Sequence, residues 1–137
     1  MEKTLIFDDS LADAIITGRK LQTRRKQAPI IKIGLEKNDI FNIVLANGKN
    51  IGKAKVTHRT ISRVADLCHA DYLSQGCESF LDFVNNFIKH NGPIDIYNEY
   101  ISVISFEMVE NSSGEKLKLI RDKYGNRYYE IQIDKRQ

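Results

Sequence analysis

The sequence predicts an α+β domain weighted towards β structure, a closed or partly closed barrel with short flanking helices. Three observations predict it. An Asn47-Gly48 pair separates two strand-like segments, the strongest short-range hairpin signal. Residues 100–109 (YISVISFEMV) are apolar on both faces, as in a strand buried between layers. No alternation of strand and helix runs through the chain, so hairpins and not crossovers organise it.

The elements follow in order. Residues 3–7 (KTLIF) read as a short strand. Asp8, Asp9 and Ser10 offer helix caps, and Leu11, Ala12, Ile15 and Ile16 recur at helical spacing up to a stop at Gly18. Residues 20–26 (KLQTRRK) come next. If extended, they put Lys20, Gln22 and Arg24 on one side and Leu21, Thr23 and Arg25 on the other, with Pro29 as a breaker. Asn38-Asp39 turns into a strand over residues 40–45 with Phe41, Ile43 and Leu45 on one face. After the Asn-Gly turn the return strand runs from residue 50 to about 59, with Gly52, Ala54 and Val56 opposed to Ile51, Lys53, Lys55 and Thr57.

A helical region is expected over roughly residues 64–90. Its second half is capped by Ser79 and carries a core stripe of Phe80, Phe83, Val84, Phe87 and Ile88. Asn91-Gly92-Pro93 ends it. After the buried strand, residues 111–114 form a flexible break. Residues 117–133 form a last hairpin turning near 122–126, with Gly125 in the left-handed region. The sum is about six or seven strands and two or three helices, with no internal repeat.

The 137 residues favour one domain, and 42% hydrophobic content suffices for a core. No apolar run approaches the roughly 20 residues of a membrane span. Residues 1–9 lack the basic-then-apolar pattern of a signal peptide, so a cytoplasmic location without membrane contact is expected. The two cysteines, Cys68 and Cys77, read as reduced thiols. With His69 and Glu78 they match no common zinc spacing, so no metal and no cofactor is expected.

The net charge of +3 conceals a polarised chain. Residues 14–64 hold twelve Lys and Arg against Glu36 and Asp39, whereas residues 65–110 hold Lys89 against eight acids. A fold that gathers the first segment around one cleft would focus a positive potential there. Interleaved elements would instead neutralise it.

The most informative stretch is residues 14–25, AIITGRKLQTRR. It resembles the signature of ASCH-domain proteins, a short helix followed by G-R-K-x-x-T-x-R. The T-R-R variant with a following proline, here Pro29, is similar to phage and prophage members. Residues 37–41 resemble the start of the family's next strand, with Asn38 where glycine is usual. Ser74-Gln75-Gly76 before the phenylalanine-rich helix resembles a Glu-Gly step. The resemblance covers roughly residues 3–110. It implies a PUA-like (ASCH) β-barrel over residues 1–110, with residues 111–137 as an extra C-terminal β-hairpin on the same domain. It also implies a cleft beside the first helix for RNA, a nucleotide or a nucleoside. A similar family branch deacylates N4-acetylcytidine with a lysine, a threonine and a glutamate. These fall on Lys20, Thr23 and Gln75, and the third departs from the family pattern because an amide takes up no proton.

The chemistry of these side chains fits either use. Thr23 needs a base to become a nucleophile, and Lys20 can serve once burial or nearby cations lower its pKa. Three residues of extended chain would separate the two, so a bulge or turn is required between them. Arg24 and Arg25, with Arg19 beside them, suit phosphate or carboxylate through the planar guanidinium fork. Lys53, Lys55 and Arg59 on the hairpin would extend that surface, and Tyr97 and Tyr100 could stack on a base. Plainer readings stand beside each. Lys53 and Lys55 also fit a solvated strand face, Tyr100 a core position, Thr23 a turn hydroxyl, and Arg25 an ion pair with Asp8 or Asp9. Three functions are therefore expected in this order: RNA or nucleotide binding, amidohydrolysis with Lys20 as base and Thr23 as nucleophile, and protein interaction through the last hairpin. Oligomeric state, monomer or dimer, is left open.

Overall fold

The computed structural model describes residues 2–66 and 77–133. Gln75, Cys68 and His69 lie outside the described residues, as do residues 67–76 of the helical region expected over 64–90. Strands β1 (Lys3–Phe7), β2 (Gln22–Lys26), β3 (Ile40–Leu45), β4 (Asn50–Arg63) and β5 (Tyr100–Asn111) form one sheet. Its order is β1-β3-β4-β5-β2, curled into a half-barrel. Only β1 and β3 run parallel; the other pairs are antiparallel. Strands β6 (Leu117–Arg121) and β7 (Arg127–Ile131) make a separate hairpin. Helices α1 (Ala12–Ile16), α2 (Gln27–Ile33) and α3 (Phe80–Asn91), with single 3-10 turns at Asp9–Leu11 and Val64–Asp66, complete the described elements. This is the mixed, β-dominated architecture that the hairpin signals predict.

The inner face of the curl is the core. Leu5, Phe7, Phe41, Ile43, Val56, Ile104, Phe106 and Met108 are buried there with Ile15 and Ile30 from the helices. Phe106 meets the Phe41 ring edge-on at 5.8 Å and the Phe7 ring at 6.0 Å. Such aromatic pairs add roughly 0.5–1.5 kcal/mol each beyond burial. A second cluster of Val64, Cys77, Phe83, Phe87 and Ile101 fixes α3 to the sheet.

Several expectations are corrected. Pro29 does not simply break the chain, for it sits in the first turn of α2, where its missing N–H costs no helical bond. Gly34 closes that helix in the left-handed conformation. The extended segment begins at Gln22 and not at Lys20, because Gly18 at φ 82° turns the chain first. Ile88 is exposed, so the buried stripe of α3 narrows to Phe83 and Phe87, with Phe80 and Val84 half-buried. Residues 111–114 are a braced turn, since the Asn111 side-chain oxygen accepts from Ser113 and Glu115 N–H at 3.0 and 2.9 Å.

Strand β4 reaches Arg63, beyond the expected end near residue 59, and shifts register against β5 at Lys53/Ala54 and at Val56/His58. Such irregularities add twist and help the sheet to curl. The Ser79 hydroxyl accepts from Asp82 N–H at 3.1 Å and caps α3, as its sequence predicts.

Candidate functional site

A cleft of about 390 Å³ opens between the end of β1, the start of β2 and α3. Its walls have three sources. The β1 end and the turn after it bring Ile6, Phe7, Asp8, Ser10 and Leu11. The segment entering β2 brings Lys20, Thr23, Arg24 and Arg25. The start and inner side of α3 bring Cys77, Phe83, Asn86, Phe87 and His90. Phe83, Phe87 and His90 recur every three or four residues, so one face of the helix delivers all three.

Lys20 precedes the strand and is 4% exposed. Its Nζ donates to the Gln22 carbonyl at 2.8 Å. Burial first, then the Arg25 charge, with Arg24 contributing less and Cys77 opposing, lowers its pKa from 10.5 to about 7. Thr23 is equally buried. Lys20 and Leu21 precede β2 without regular structure, Thr23 lies within the strand, and both Lys20 and Thr23 line the cleft.

The two arginines differ in what holds them. Arg25 donates from Nε to the Thr23 hydroxyl at 3.2 Å and from its terminal nitrogen to the Ile6 carbonyl at 2.7 Å. Its guanidinium also lies 4.6 Å from the centre of the Phe7 ring. Burial lowers its pKa to about 10. Arg25 therefore ties β2 to β1, and no ion pair to Asp8 or Asp9 forms among the described residues. Arg24 is buried, with one terminal nitrogen donating to the Gln22 side-chain oxygen at 3.1 Å.

At the end of β1, Asp8 accepts from the Ser10 N–H and hydroxyl at 2.9 and 2.6 Å. Those bonds, the hydroxyl first, hold its pKa below the usual carboxylate range. His90 Nε2 stands 3.7 Å from the other Asp8 oxygen, across the cleft. Asn86 donates to the Cys77 sulfur at 3.8 Å, and burial pushes that thiol's pKa up, so it is a poor nucleophile. Among the described residues no three His, Cys, Asp or Glu side chains converge on one point.

The remaining expected residues lie elsewhere. Arg19 is exposed on the turn, its Nε donating to the Thr17 hydroxyl at 3.1 Å. Lys53 pairs with Glu2 at 3.3 Å and Arg59 with Glu36 at 2.7 Å. Lys55 is exposed on β4, and Tyr100 is 48% exposed at the start of β5. None of these five lines the cleft. The basic segment is thus shared out: Lys20, Arg24 and Arg25 reach the cleft, while Lys53, Arg59 and Arg63 meet carboxylates on the outside. Sequence reasoning missed Asp8, Asn86 and His90 as cleft residues. The i, i+4 spacing of Asn86 and His90 on a capped helix was the available signal, but only the packing of α3 shows that this side faces β1.

No family model matches the sequence, and no curated protein matches it. Solved structures do match. The protein of family DUF984 from Enterococcus faecalis V583 superposes with a TM-score of 0.63 at 17% identity, covering 80% of this chain and 77% of that one. ZmASCH from Zymomonas mobilis, solved as a serine-to-alanine mutant, gives 0.56 at 15% identity, covering 85% and 71%. The ASCH domain from Lactobacillus crispatus gives 0.55 at 13% identity, covering 73% and 70%. The chain has the fold of ASCH domains, as residues 14–25 imply. No described helix is long and apolar enough to cross a membrane.

Proposed function

We propose that the cleft binds a nucleotide, free or as part of RNA. One observation carries this reading: Lys20, Thr23 and Arg24 meet Phe83, Phe87 and Asn86 around a single space of about 390 Å³. That volume falls in the range of small-molecule pockets, roughly 300–1,000 Å³. A base fits against the phenylalanines, the Asn86 amide can read its polar edge, and Arg24 and Lys20 can meet a phosphate. The likeness to ASCH domains supports the fold that frames the cleft.

Titration of cytidine and uridine monophosphates and of short RNA at low salt tests it. Binding is expected for the wild-type chain, weakened about tenfold in Arg24→Ala and in Asn86→Ala. Asn86 is exposed, so its truncation leaves the core untouched. Absence of any binding by the folded wild-type protein would remove the reading.

A second reading, amidohydrolysis of an acylated pyrimidine nucleoside, is favoured by the Lys20 pKa of about 7. Near neutral pH a substantial share of the amine is unprotonated and able to accept the Thr23 proton. The Thr23 oxygen then attacks the acyl carbonyl, the amine leaves with the proton that Lys20 returns to it, and water cleaves the Thr23 ester to release the acid and restore the hydroxyl. Arg25, already donating to that hydroxyl, stabilises the negative charge that develops on the Thr23 oxygen as its proton leaves. Cytidine formed from N4-acetylcytidine by the wild type and not by Lys20→Ala supports this reading. Equal turnover in the two proteins defeats it.

A further inference from the structure

The C-terminal hairpin carries cations and bare aromatic rings that the cleft does not use. Its inner face is spent on packing, since Leu117 and Tyr129 rest on the main core. The tip is different. Arg121 and Arg127 stand opposite each other in register at the last pair before the turn. Like charges directly opposite on a hairpin repel. Arg127 also donates to the Arg19 backbone carbonyl at 3.0 Å, which sets the exposed Arg19 residue against the edge of the hairpin. Lys123 adds a fourth cation, its Nζ 5.1 Å from the centre of the Tyr124 ring. Among the described residues none of these four cations forms an ion pair.

Two acids offset part of this charge. Asp122 is committed to the turn, its carboxylate accepting from the Tyr124 and Asn126 N–H groups at 2.9 Å each and from the Asn126 amide at 3.1 Å. Glu107 acts against Arg121 and Arg127 in their effect on the Tyr129 hydroxyl. Positive charge remains in excess. Beside these cations Tyr124 is 78% exposed at the turn, whereas Tyr128, paired with Ile120, stands on the opposite face of the hairpin from Arg121 and Arg127.

We infer that this tip, with Arg19, grips a single-stranded nucleic acid. Phosphates meet the guanidiniums and Lys123, and an unpaired base stacks on Tyr124. A duplex would present the phosphates but hide the base faces, so the exposed Tyr124 ring selects a single strand. The tip abuts the approach to the cleft: a side chain on Gly18 would touch Leu119 and the backbone of Arg127 and Tyr128, and Lys20 follows two residues later. The ligand is then a strand whose one nucleotide enters the cleft. Only that last point rests on the proposed cleft function; the grip itself does not.

Anisotropy titrations of the full chain with labelled oligouridylate and oligothymidylate of about 12 nucleotides test the grip. Cytidine monophosphate is titrated in parallel to report on the cleft. The Lys123→Ala/Tyr124→Ala variant is expected to weaken oligonucleotide binding about tenfold, with a shallower salt dependence and unchanged mononucleotide binding. Arg121→Gln, a second exposed change, is expected to act in the same direction. Oligonucleotide binding that survives both variants unchanged, or is absent from the wild type, overturns the proposal. Loss of oligonucleotide binding in the tip variant, with no mononucleotide binding by the wild type, retains the grip and sinks the cleft reading alone. Preference for uridylate over thymidylate identifies the strand as RNA, and the reverse identifies DNA.

Discussion

Lys20 Nζ lies 2.8 Å from the Gln22 carbonyl, so the amine is folded back over the start of the strand that carries Thr23. This arrangement buries a nitrogen that also faces two guanidiniums, and its neutral form is favoured.

The consequence is a pH-dependent stability of defined sign. The folded pKa is about 7 and the unfolded value near 10.5, so between them the unfolded chain holds a proton that the folded chain lacks. Stability contributed by this site therefore rises as pH increases from about 7 towards 10, by up to about 1.4 kcal/mol per pH unit. Lys20→Met removes the titration. Urea unfolding of both proteins at several pH values is expected to show Lys20→Met gaining relative stability at pH 6 and losing that advantage by pH 10. Cys77 titrates in both proteins, so the difference isolates Lys20. A difference that does not change with pH would mean that the amine is not held neutral.

Some of this was readable in the sequence, and the missing parts have physical reasons. The Asn47-Gly48 turn, the doubly buried β5 and the Ser79 cap are local signals, and each forms where its residues place it. Helix α2 was hidden because Pro29 argues against helix everywhere except in the first turn. The division of the basic segment depends on partners far along the chain, such as Glu36 for Arg59 and Glu2 for Lys53. The Asp8–His90 pair likewise joins elements about 80 residues apart, which no local pattern encodes.

Gly52 makes the second prediction. It adopts φ 141°, and a Cβ there would run into the Glu110 carbonyl and approach the Met108 methyl to 2.6 Å. The obstacle is strand backbone, which cannot swing aside as a surface side chain would. Gly52→Ala is expected to destabilise the fold by about 2–4 kcal/mol, measured by urea unfolding. Gly48 also has a positive φ, but nothing lies within 4 Å of its would-be Cβ, so Gly48→Ala should cost clearly less. Equal costs at the two sites would show that backbone conformation alone, and not the close approach of β5, demands glycine.

The third prediction concerns the joint between hairpin and barrel. The Met108 N–H on β5 donates to the Tyr129 hydroxyl at 3.0 Å, at a stretch where β4 and β5 have slipped register. Replacing Tyr129 by Phe keeps the ring against the core but leaves that N–H without its acceptor. The expected cost is about 1–3 kcal/mol in urea unfolding. Amide exchange gives the sharper readout. The Met108 amide should lose protection in Tyr129→Phe while the Ile104 and Phe106 amides, deep in the sheet, keep theirs. Faster exchange across β6 and β7 as well would mean that this one bond governs docking of the whole hairpin. Met108 protection equal to that of the wild type would show that the hydroxyl is dispensable, and the apolar contacts of Leu117 and the Tyr129 ring would then carry the joint.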